Sequence, residues 1–140
     1  MPVTLTPDYF NELSRDGLPG RLGIVVTEVG VGLLKAEFAV ARFLLAANGY
    51  MHGGSVVSLA DTCAGYGAIA NLPEGASGFT TIELKTNYLG TAREGVVECT
   101  AIAVHLGRTT QVWDATVRAQ GSDRSIALFR CTQLVMYPKK

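Results

Sequence analysis

The stretch from Gly53 to Asn71, GGSVVSLADTCAGYGAIAN, carries one charged side chain, the carboxylate of Asp61. The other residues are apolar, small or uncharged, and Leu72-Pro73 ends the stretch. A helix that is apolar on nearly every side belongs in a core, and strand-like segments precede and follow this one, so a sheet must wrap it. Burying an unpaired carboxylate is unfavourable or forces the group to take up a proton, so we predict that Asp61 has a chemical role.

The length of 140 residues predicts one domain over residues 1–140. Thr6 can cap a short helix with Pro7 at its first position, and the Leu18-Pro19-Gly20 turn stops it. Alternating apolar residues between glycine-rich breaks predict six strands: Leu22–Val29, Leu33–Phe43, Phe79–Leu89, Gly95–Leu106, Thr109–Gln120 and Ser125–Met136. Short links between the last four favour an antiparallel meander. The predicted class is α+β, a long central helix wrapped by a strongly twisted antiparallel sheet of five to six strands.

Composition narrows the range of partners and locations. The chain has 12 basic and 12 acidic residues and no block of like charge, which argues against nucleic acid as the main partner. The three cysteines are widely spaced and odd in number, which favours a reducing compartment over a disulfide framework. The first ten residues lack a secretion signal, and Asn48, His52 and several glycines interrupt the uncharged residues 43–60. We therefore expect a cytoplasmic protein with no membrane span.

Metal and dinucleotide sites are not expected. The chain has only two histidines, and no cysteine or carboxylate stands at ligand spacing from them. The run Gly65–Ala70 matches a Gly-x-Gly-x-x-Ala motif by letter, but it lies inside the predicted helix rather than after a strand.

A His52-Gly53-Gly54 helix start gives Asp61 a chemical partner. Free N–H groups and the positive end of the helix favour negative charge, and glycine lets a ligand approach the backbone. Gly53 and Gly54 are thus a candidate oxyanion site, and Asp61 is a candidate base or nucleophile. Eight residues separate Gly53 from Asp61, about 12 Å along a helix, whereas a reacting carbon needs both groups within roughly 3–3.5 Å. If the two act together, a two-fold dimer must bring Gly53 of one subunit to Asp61 of the other.

The segments Gly49–Gly54, GYMHGG, and Leu59–Asp61, LAD, resemble the signature of hotdog-fold thioesterases of the phenylacetate-pathway and 4-hydroxybenzoyl-CoA type. The resemblance extends from Pro19 to Met136. It implies a hotdog fold and the hydrolysis of an acyl-CoA thioester, for which we expect an aromatic or medium-chain acyl group. It also implies a homodimer as the minimum unit, a homotetramer as the expected assembly, and no cofactor, because coenzyme A is part of the substrate.

The resemblance also implies roles for individual residues. It places the catalytic carboxylate at Asp61, in a site shared across the dimer, with the oxyanion-hole N–H at Gly53 and an ordering role at His52. A Ser or Thr on the strand after the helix helps to hold water in some members, and Thr81 matches that position.

One position departs from the family, and the coenzyme A contacts are open. Many relatives carry Asn or Gln six residues before the histidine, where this chain has Ala46. Either Asn48 takes that role through a different loop path, or the role is absent. Arg108 is the first candidate for binding the phosphates of coenzyme A, with Arg93 and Lys85 as weaker choices and Gly54 as a backbone contact.

Other interpretations stay open. Asp61 could be an internal carboxylate bonded to backbone or to a hydroxyl such as Ser58. A hotdog enoyl-CoA hydratase would also bind acyl-CoA, but would be expected to pair a catalytic Asp and His closely. A non-catalytic acyl-CoA sensor would bind the thioester without turnover, and a purely structural oligomer would bind none.

Overall fold

The computed structural model describes residues 5–140, so the first four residues of the N-terminal segment lie outside the described chain. The helices are α1 (Pro7–Ser14), α2 (Leu18–Arg21) and α3 (Gly53–Ala70), with one 3₁₀ turn at Arg42–Leu44. The strands are β1 (Val25–Gly30), β2 (Leu33–Ala39), β3 (Gly78–Tyr88), β4 (Val96–Leu106), β5 (Thr110–Ala119) and β6 (Ser125–Met136).

The six strands form one antiparallel sheet in the order β1-β2-β4-β5-β6-β3. The predicted meander is correct for β4, β5 and β6 but wrong for β3, which pairs with β6 at the far edge. The reason is that β2 already pairs with β4 along its whole length, from Leu33↔Ile102 to Ala39↔Val96. The segment 89–95 therefore links two strands that are not neighbours.

The central helix packs on one face of this sheet, which confirms the predicted two-layer α+β architecture. Eight of its residues are buried, and all are apolar or small: Val56, Leu59, Ala60, Cys63, Ala64, Gly65, Gly67 and Ala68. The small side chains allow close approach, since a Cβ atom at Gly67 would lie 2.8 Å from the ring of the fully buried Trp113. The sheet can therefore wrap tightly around α3.

The N-terminal segment differs from the sequence prediction in one respect. Leu18-Pro19-Gly20 is not a plain turn but part of α2, in which Pro19 occupies the first turn where its missing N–H is harmless. Thr6 caps α1 as predicted, because its side chain accepts a hydrogen bond from the Tyr9 N–H at 3.2 Å.

Apolar side chains remain exposed at one edge and on the outer face of the sheet. The edge strand β3 and the residue after it expose Ile82, Leu84, Tyr88 and Leu89. The outer face exposes Ile102, Leu128, Leu134 and Met136. Exposed apolar edges of this kind are typical of surfaces that another chain covers.

Within residues 5–140, none of the helices combines the length and the apolar character needed to cross a membrane.

Candidate active site

The start of α3 is organised by His52. This residue is the N-cap, with φ −67° and ψ 131°, and its Nδ1 accepts a hydrogen bond from the Gly54 N–H at 2.8 Å. Because Nδ1 is an acceptor, the ring proton of neutral His52 must sit on Nε2, which points away from the cap. The contact supports the ordering role predicted for His52. It also engages the Gly54 N–H, which was predicted to contact coenzyme A.

Gly53, the first residue of α3, presents the N–H predicted for the oxyanion hole. A first helical residue has no acceptor in a preceding turn, so this N–H is available to a ligand. The Gly53 carbonyl accepts a hydrogen bond from the Tyr88 hydroxyl at 2.9 Å. A Cβ atom at Gly53 would lie 3.1 Å from Cζ and Oη of Tyr88. The helix start is therefore held against β3 by Tyr88.

Tyr88 was missed by sequence reasoning. It lies at the end of β3 and is 51% exposed. Its contact with Gly53 depends on where β3 sits in the sheet, which the sequence did not reveal. An aromatic residue at a strand end was the only available signal.

Asp61 lies halfway along α3 and is half-buried. Its Oδ1 is buried and has no hydrogen-bond partner among the described residues. The alternative in which Ser58 bonds to Asp61 is not seen, because the Ser58 hydroxyl donates to the Gly54 carbonyl at 2.7 Å. Burial raises the pKa of the Asp61 carboxyl above its ordinary value of 3.8.

The surroundings of Asp61 include a buried thiol on β6 and the inner face of β3. Cys131, on the inner face of β6, is fully buried. Burial raises the pKa of the Cys131 thiol to about 12, and the negative charge of Asp61 adds to the increase. Gly65, one helical turn after Asp61, packs against β3, since a Cβ atom there would lie 3.1 Å from the ring of Phe79. Residues four apart share a helix face, so Asp61 lies on the side of α3 that faces β3.

We expect the pH dependence of activity to report the burial of Asp61. A base must be ionised, so the acidic limb of kcat/KM should lie above pH 3.8, the ordinary value for this carboxyl. The check is a pH profile with a thioester whose acyl group does not titrate in the acidic range. A limb at or below 3.8 would contradict a desolvated Asp61 acting as the base.

Two threonines on β3 differ in their surroundings. Thr81, the predicted water-holding residue, is exposed and lies opposite Gln133 of β6, just before a bulge in the strand. Thr86 is half-buried, and its hydroxyl has no hydrogen-bond partner among the described residues. Sequence reasoning missed Thr86, because simple alternation places it on the face opposite to Thr81, and only the bulge after Thr81 brings both residues to the same face. Both residues stay candidates for holding water.

The loop before His52 contains the position where the chain departs from the family. Ala46 donates its N–H to the Tyr50 carbonyl at 2.7 Å, so it lies inside a tight loop. The Asn48 side chain is exposed, and its Oδ1 accepts a hydrogen bond from the Tyr50 N–H at 3.2 Å. Asn48 therefore stabilises its own turn, and its predicted role at the thioester stays a prediction.

The two candidate arginines lie in different places. Arg93 places its guanidinium 4.3 Å from the centroid of the Tyr50 ring, beside the loop that leads into α3. Arg108 is exposed in the turn between β4 and β5. This turn adjoins the opposite end of α3, because Gln111 near the start of β5 donates to the Asn71 carbonyl at 2.9 Å. Of these two arginines, Arg93 is the one that lies near the helix start of its own chain.

Among residues 5–140, no group of three or more histidine, cysteine, aspartate or glutamate side chains is arranged to hold a metal ion.

The chain is similar in sequence to thioesterases. The Thioesterase superfamily profile matches residues 48–126. A 1,4-dihydroxy-2-naphthoyl-CoA hydrolase from Listeria monocytogenes is 31% identical over 124 residues, which cover 89% of this chain and 99% of the relative.

Two solved structures share the whole architecture. A mutant thioesterase from Pseudomonas aeruginosa superposes with a TM-score of 0.87 at 26% identity, covering 95% of this chain and 99% of the other. A thioesterase from Haemophilus influenzae superposes with a TM-score of 0.89 at 27% identity, covering 96% of this chain and 93% of the other. The architecture of the central helix and its wrapped sheet is thus shared with solved thioesterases. The chain belongs to the thioesterase superfamily, has the hotdog fold, and is a thioester hydrolase.

Proposed function

We propose that the protein hydrolyses an acyl-CoA thioester with an aromatic or medium-chain acyl group. The observation that carries this proposal is the half-buried carboxylate of Asp61, whose Oδ1 has no partner in the part of the chain described, on the helix that begins with the free N–H of Gly53. The similarity to a relative named as an aromatic acyl-CoA hydrolase supports the choice of both the thioester and the acyl class.

The proposed chemistry uses the Gly53 N–H and the Asp61 carboxylate. The Gly53 N–H binds the thioester carbonyl oxygen and stabilises the negative charge that develops on it. The Asp61 carboxylate takes a proton from water as the water oxygen attacks the carbonyl carbon. In the other route, Asp61 attacks directly to give a mixed anhydride that water then cleaves. In both routes the carbon–sulfur bond breaks, the thiolate leaves and is protonated, and a carboxylic acid is formed.

The two groups must come from different subunits. Gly53 and Asp61 lie on one continuous helix of 18 residues, which keeps them about 12 Å apart within a chain. The free edge of β3, with exposed Ile82 and Leu84, is suited to antiparallel pairing with a second copy. A two-fold axis at that edge would run the two α3 helices antiparallel and bring Gly53 of each subunit towards Asp61 of the other.

A homotetramer is the proposed final assembly. The outer face of the sheet exposes Ile102, Leu128, Leu134 and Met136, a set of apolar side chains that a second dimer could cover.

The antiparallel dimer also affects which arginines can bind coenzyme A. In an antiparallel dimer, the Arg108 end of one subunit approaches the Gly53 end of the other, so Arg108 and Arg93 can contribute to one site.

The proposal is tested with a panel of aromatic and straight-chain acyl-CoA thioesters and a reagent that detects the released thiol. Turnover of at least one member is the expected result, and the most efficient substrate identifies the acyl class. If thioesters raise the melting temperature but are not cleaved, the protein is a sensor rather than a hydrolase. Hydration of an enoyl-CoA in the same panel would instead support a hydratase.

Mixing two inactive variants tests the shared site. Asp61→Asn and Gly53→Pro each damage both sites of a homodimer, but a heterodimer of the two has one site with both groups intact. After unfolding and refolding of an equal mixture, half of the dimers are mixed, and we expect roughly one quarter of the wild-type activity. Refolding each variant alone is the control. A mixture no more active than its components would contradict a site built from two subunits.

A further inference from the structure

The peptide group between Gly53 and Gly54 is bonded by side chains at both of its polar ends. Its carbonyl, that of Gly53, accepts a hydrogen bond from the Tyr88 hydroxyl at 2.9 Å. Its N–H, that of Gly54, donates to Nδ1 of His52 at 2.8 Å. His52 is the cap residue directly before the helix, whereas Tyr88 is 35 residues away from Gly53 along the chain. One contact is therefore local, and the other ties the helix start to the sheet.

The preceding peptide group, between His52 and Gly53, is held at its carbonyl. That carbonyl accepts from the Ser55 N–H at 2.9 Å and from the Val56 N–H at 3.3 Å. Gly53 therefore lies between two peptide groups in which three of the four polar groups are bonded. The fourth is the Gly53 N–H, which points out of the first turn towards a ligand. Its direction depends on backbone angles that the other three bonds hold.

The missing Cβ atoms of the two glycines let both aromatic rings lie close to the backbone. A Cβ atom at Gly53 would lie 3.1 Å from Cζ and Oη of Tyr88. One at Gly54 would lie 2.9 Å from Nδ1 of His52. Two glycines in sequence are also the most flexible start that a helix can have. The contacts of Tyr88 and His52 counteract that flexibility.

The position of the Tyr88 hydroxyl is set by the sheet rather than by the helix. Tyr88 is the last residue of β3 and pairs with Ala127, which is fully buried on β6. The next two residues, Leu89 and Gly90, donate their N–H groups to the Ile126 carbonyl at 2.8 and 3.1 Å. A side chain on a strand end bonded in this way is a fixed reference point for the start of α3.

The exposure of Tyr88 indicates what its hydroxyl contributes. Tyr88 is 51% exposed, and a hydrogen bond in contact with water adds little to the free energy of unfolding. An oxyanion-hole donor, in contrast, is effective because its direction is set before the charge develops. A donor that is ordered only during the reaction loses backbone entropy on the way to the transition state, which raises the barrier. The contact between Tyr88 and Gly53 is therefore suited to ordering the donor.

We propose that Tyr88 is a positioning residue, whose hydroxyl holds the Gly53–Gly54 peptide group so that the Gly53 N–H points at the thioester carbonyl. The inference rests on the proposed thioesterase function. Tyr88 acts through Gly53 rather than by contact with the reacting atoms.

Tyr88→Phe tests this role, because it keeps the ring against Gly53 and removes only the hydroxyl. We expect kcat to fall by about ten-fold, a part of the loss expected when the donor itself is removed. KM should stay within about two-fold of the wild-type value, because the donor binds the transition state more strongly than the ground state. In a Gly53→Pro background, which has no N–H to position, Tyr88→Phe should cause no further loss of kcat.

Tyr66→Phe is the matched control. Tyr66 lies on the same helix, and its hydroxyl is 2.7 Å from the Ser14 hydroxyl on α1. The substitution removes one tyrosine hydroxyl with a hydrogen-bond partner, as Tyr88→Phe does, but away from the helix start. We expect Tyr66→Phe to lower the melting temperature and to leave kcat unchanged. Tyr88→Phe should do the reverse.

The order of the Gly53 amide is a second readout that needs no substrate. In protein labelled with ¹⁵N-glycine, the Gly53 signal is identified by its absence from Gly53→Pro. Its order parameter should be about 0.85, the value of a rigid backbone, in the wild type and in Tyr66→Phe. In Tyr88→Phe it should be clearly lower, because the helix start has lost its contact with the sheet.

An unchanged kcat or an unchanged Gly53 order parameter in Tyr88→Phe would overturn the inference. A further fall of kcat on adding Tyr88→Phe to Gly53→Pro would overturn it as well, since Tyr88 would then act on another part of the site. Absence of turnover for every thioester in the wild type would contradict the proposed function instead. The order parameter alone would then decide whether Tyr88 positions the Gly53 N–H.

Discussion

Asp61→Asn should lower kcat by about 10²-fold or more, and Asp61→Ala should do the same, because both remove the carboxylate that we propose as the general base or nucleophile. Asparagine keeps the shape of the side chain and removes its charge, so the loss would reflect chemistry rather than packing. The measurement is steady-state thioester hydrolysis with thiol detection. Residual activity near the wild-type level would show that another group activates the water.

The same substitution should stabilise the fold at neutral pH. Burial raises the pKa of Asp61 in the folded chain above 3.8, its value when the group is free in water. The contribution of this carboxyl to the free energy of unfolding is therefore fully present below about pH 3.8, where it is protonated in both states. That contribution is lost as pH rises through the folded-state pKa. Asparagine does not ionise, so we expect the Asp61→Asn melting temperature at pH 7 to exceed that of the wild type. A variant that is inactive but more stable cannot owe its inactivity to unfolding.

Asp114→Asn is a suitable control for this pair of effects. Asp114 is a carboxylate on the outer face of the sheet that binds Arg130 through two contacts of 2.6 and 2.8 Å. This ion pair lowers the pKa of Asp114, so its ionised form favours folding, opposite to Asp61. Asp114→Asn should leave kcat unchanged and should not raise the melting temperature.

Gly53→Pro should lower kcat by about 10²- to 10³-fold relative to Gly53→Ala, because only proline removes the N–H proposed for the oxyanion hole. The backbone is suited to this change. Gly53 is the first residue of the helix, where proline is favourable, and His52 at φ −67° and ψ 131° already has the extended conformation that precedes proline.

Alanine separates the loss of the donor from the added bulk. Either substitution places a Cβ atom 3.1 Å from Tyr88, so Gly53→Ala measures the steric effect alone. Circular dichroism and the melting temperature establish whether both variants fold. Equal kcat values for the two folded variants would show that the Gly53 N–H does not stabilise the reaction.

The sequence predicted the helix and its central carboxylate well because both signals are local. Asp61 stands alone in an uncharged run, and the glycine pair after His52 marks the helix start. The faces of β2 also fit simple alternation, since Leu34, Ala36 and Phe38 are buried. These features depend on residues that are close in the chain.

The features that were missed depend on contacts between distant segments. The position of β3 at the far edge depends on which strand pairs with β4, and alternation does not encode that choice. Tyr88 and Thr86 became visible only once β3 was placed against β6 and α3.

The unbroken course of α3 from Gly53 to Ala70 has a consequence for the enzyme in dilute solution. Because one chain cannot bring its own Gly53 to its own Asp61, a dissociated subunit would have no working site. Catalytic output would then depend on mass action between subunits, and below the dissociation constant the rate should rise with the square of the protein concentration.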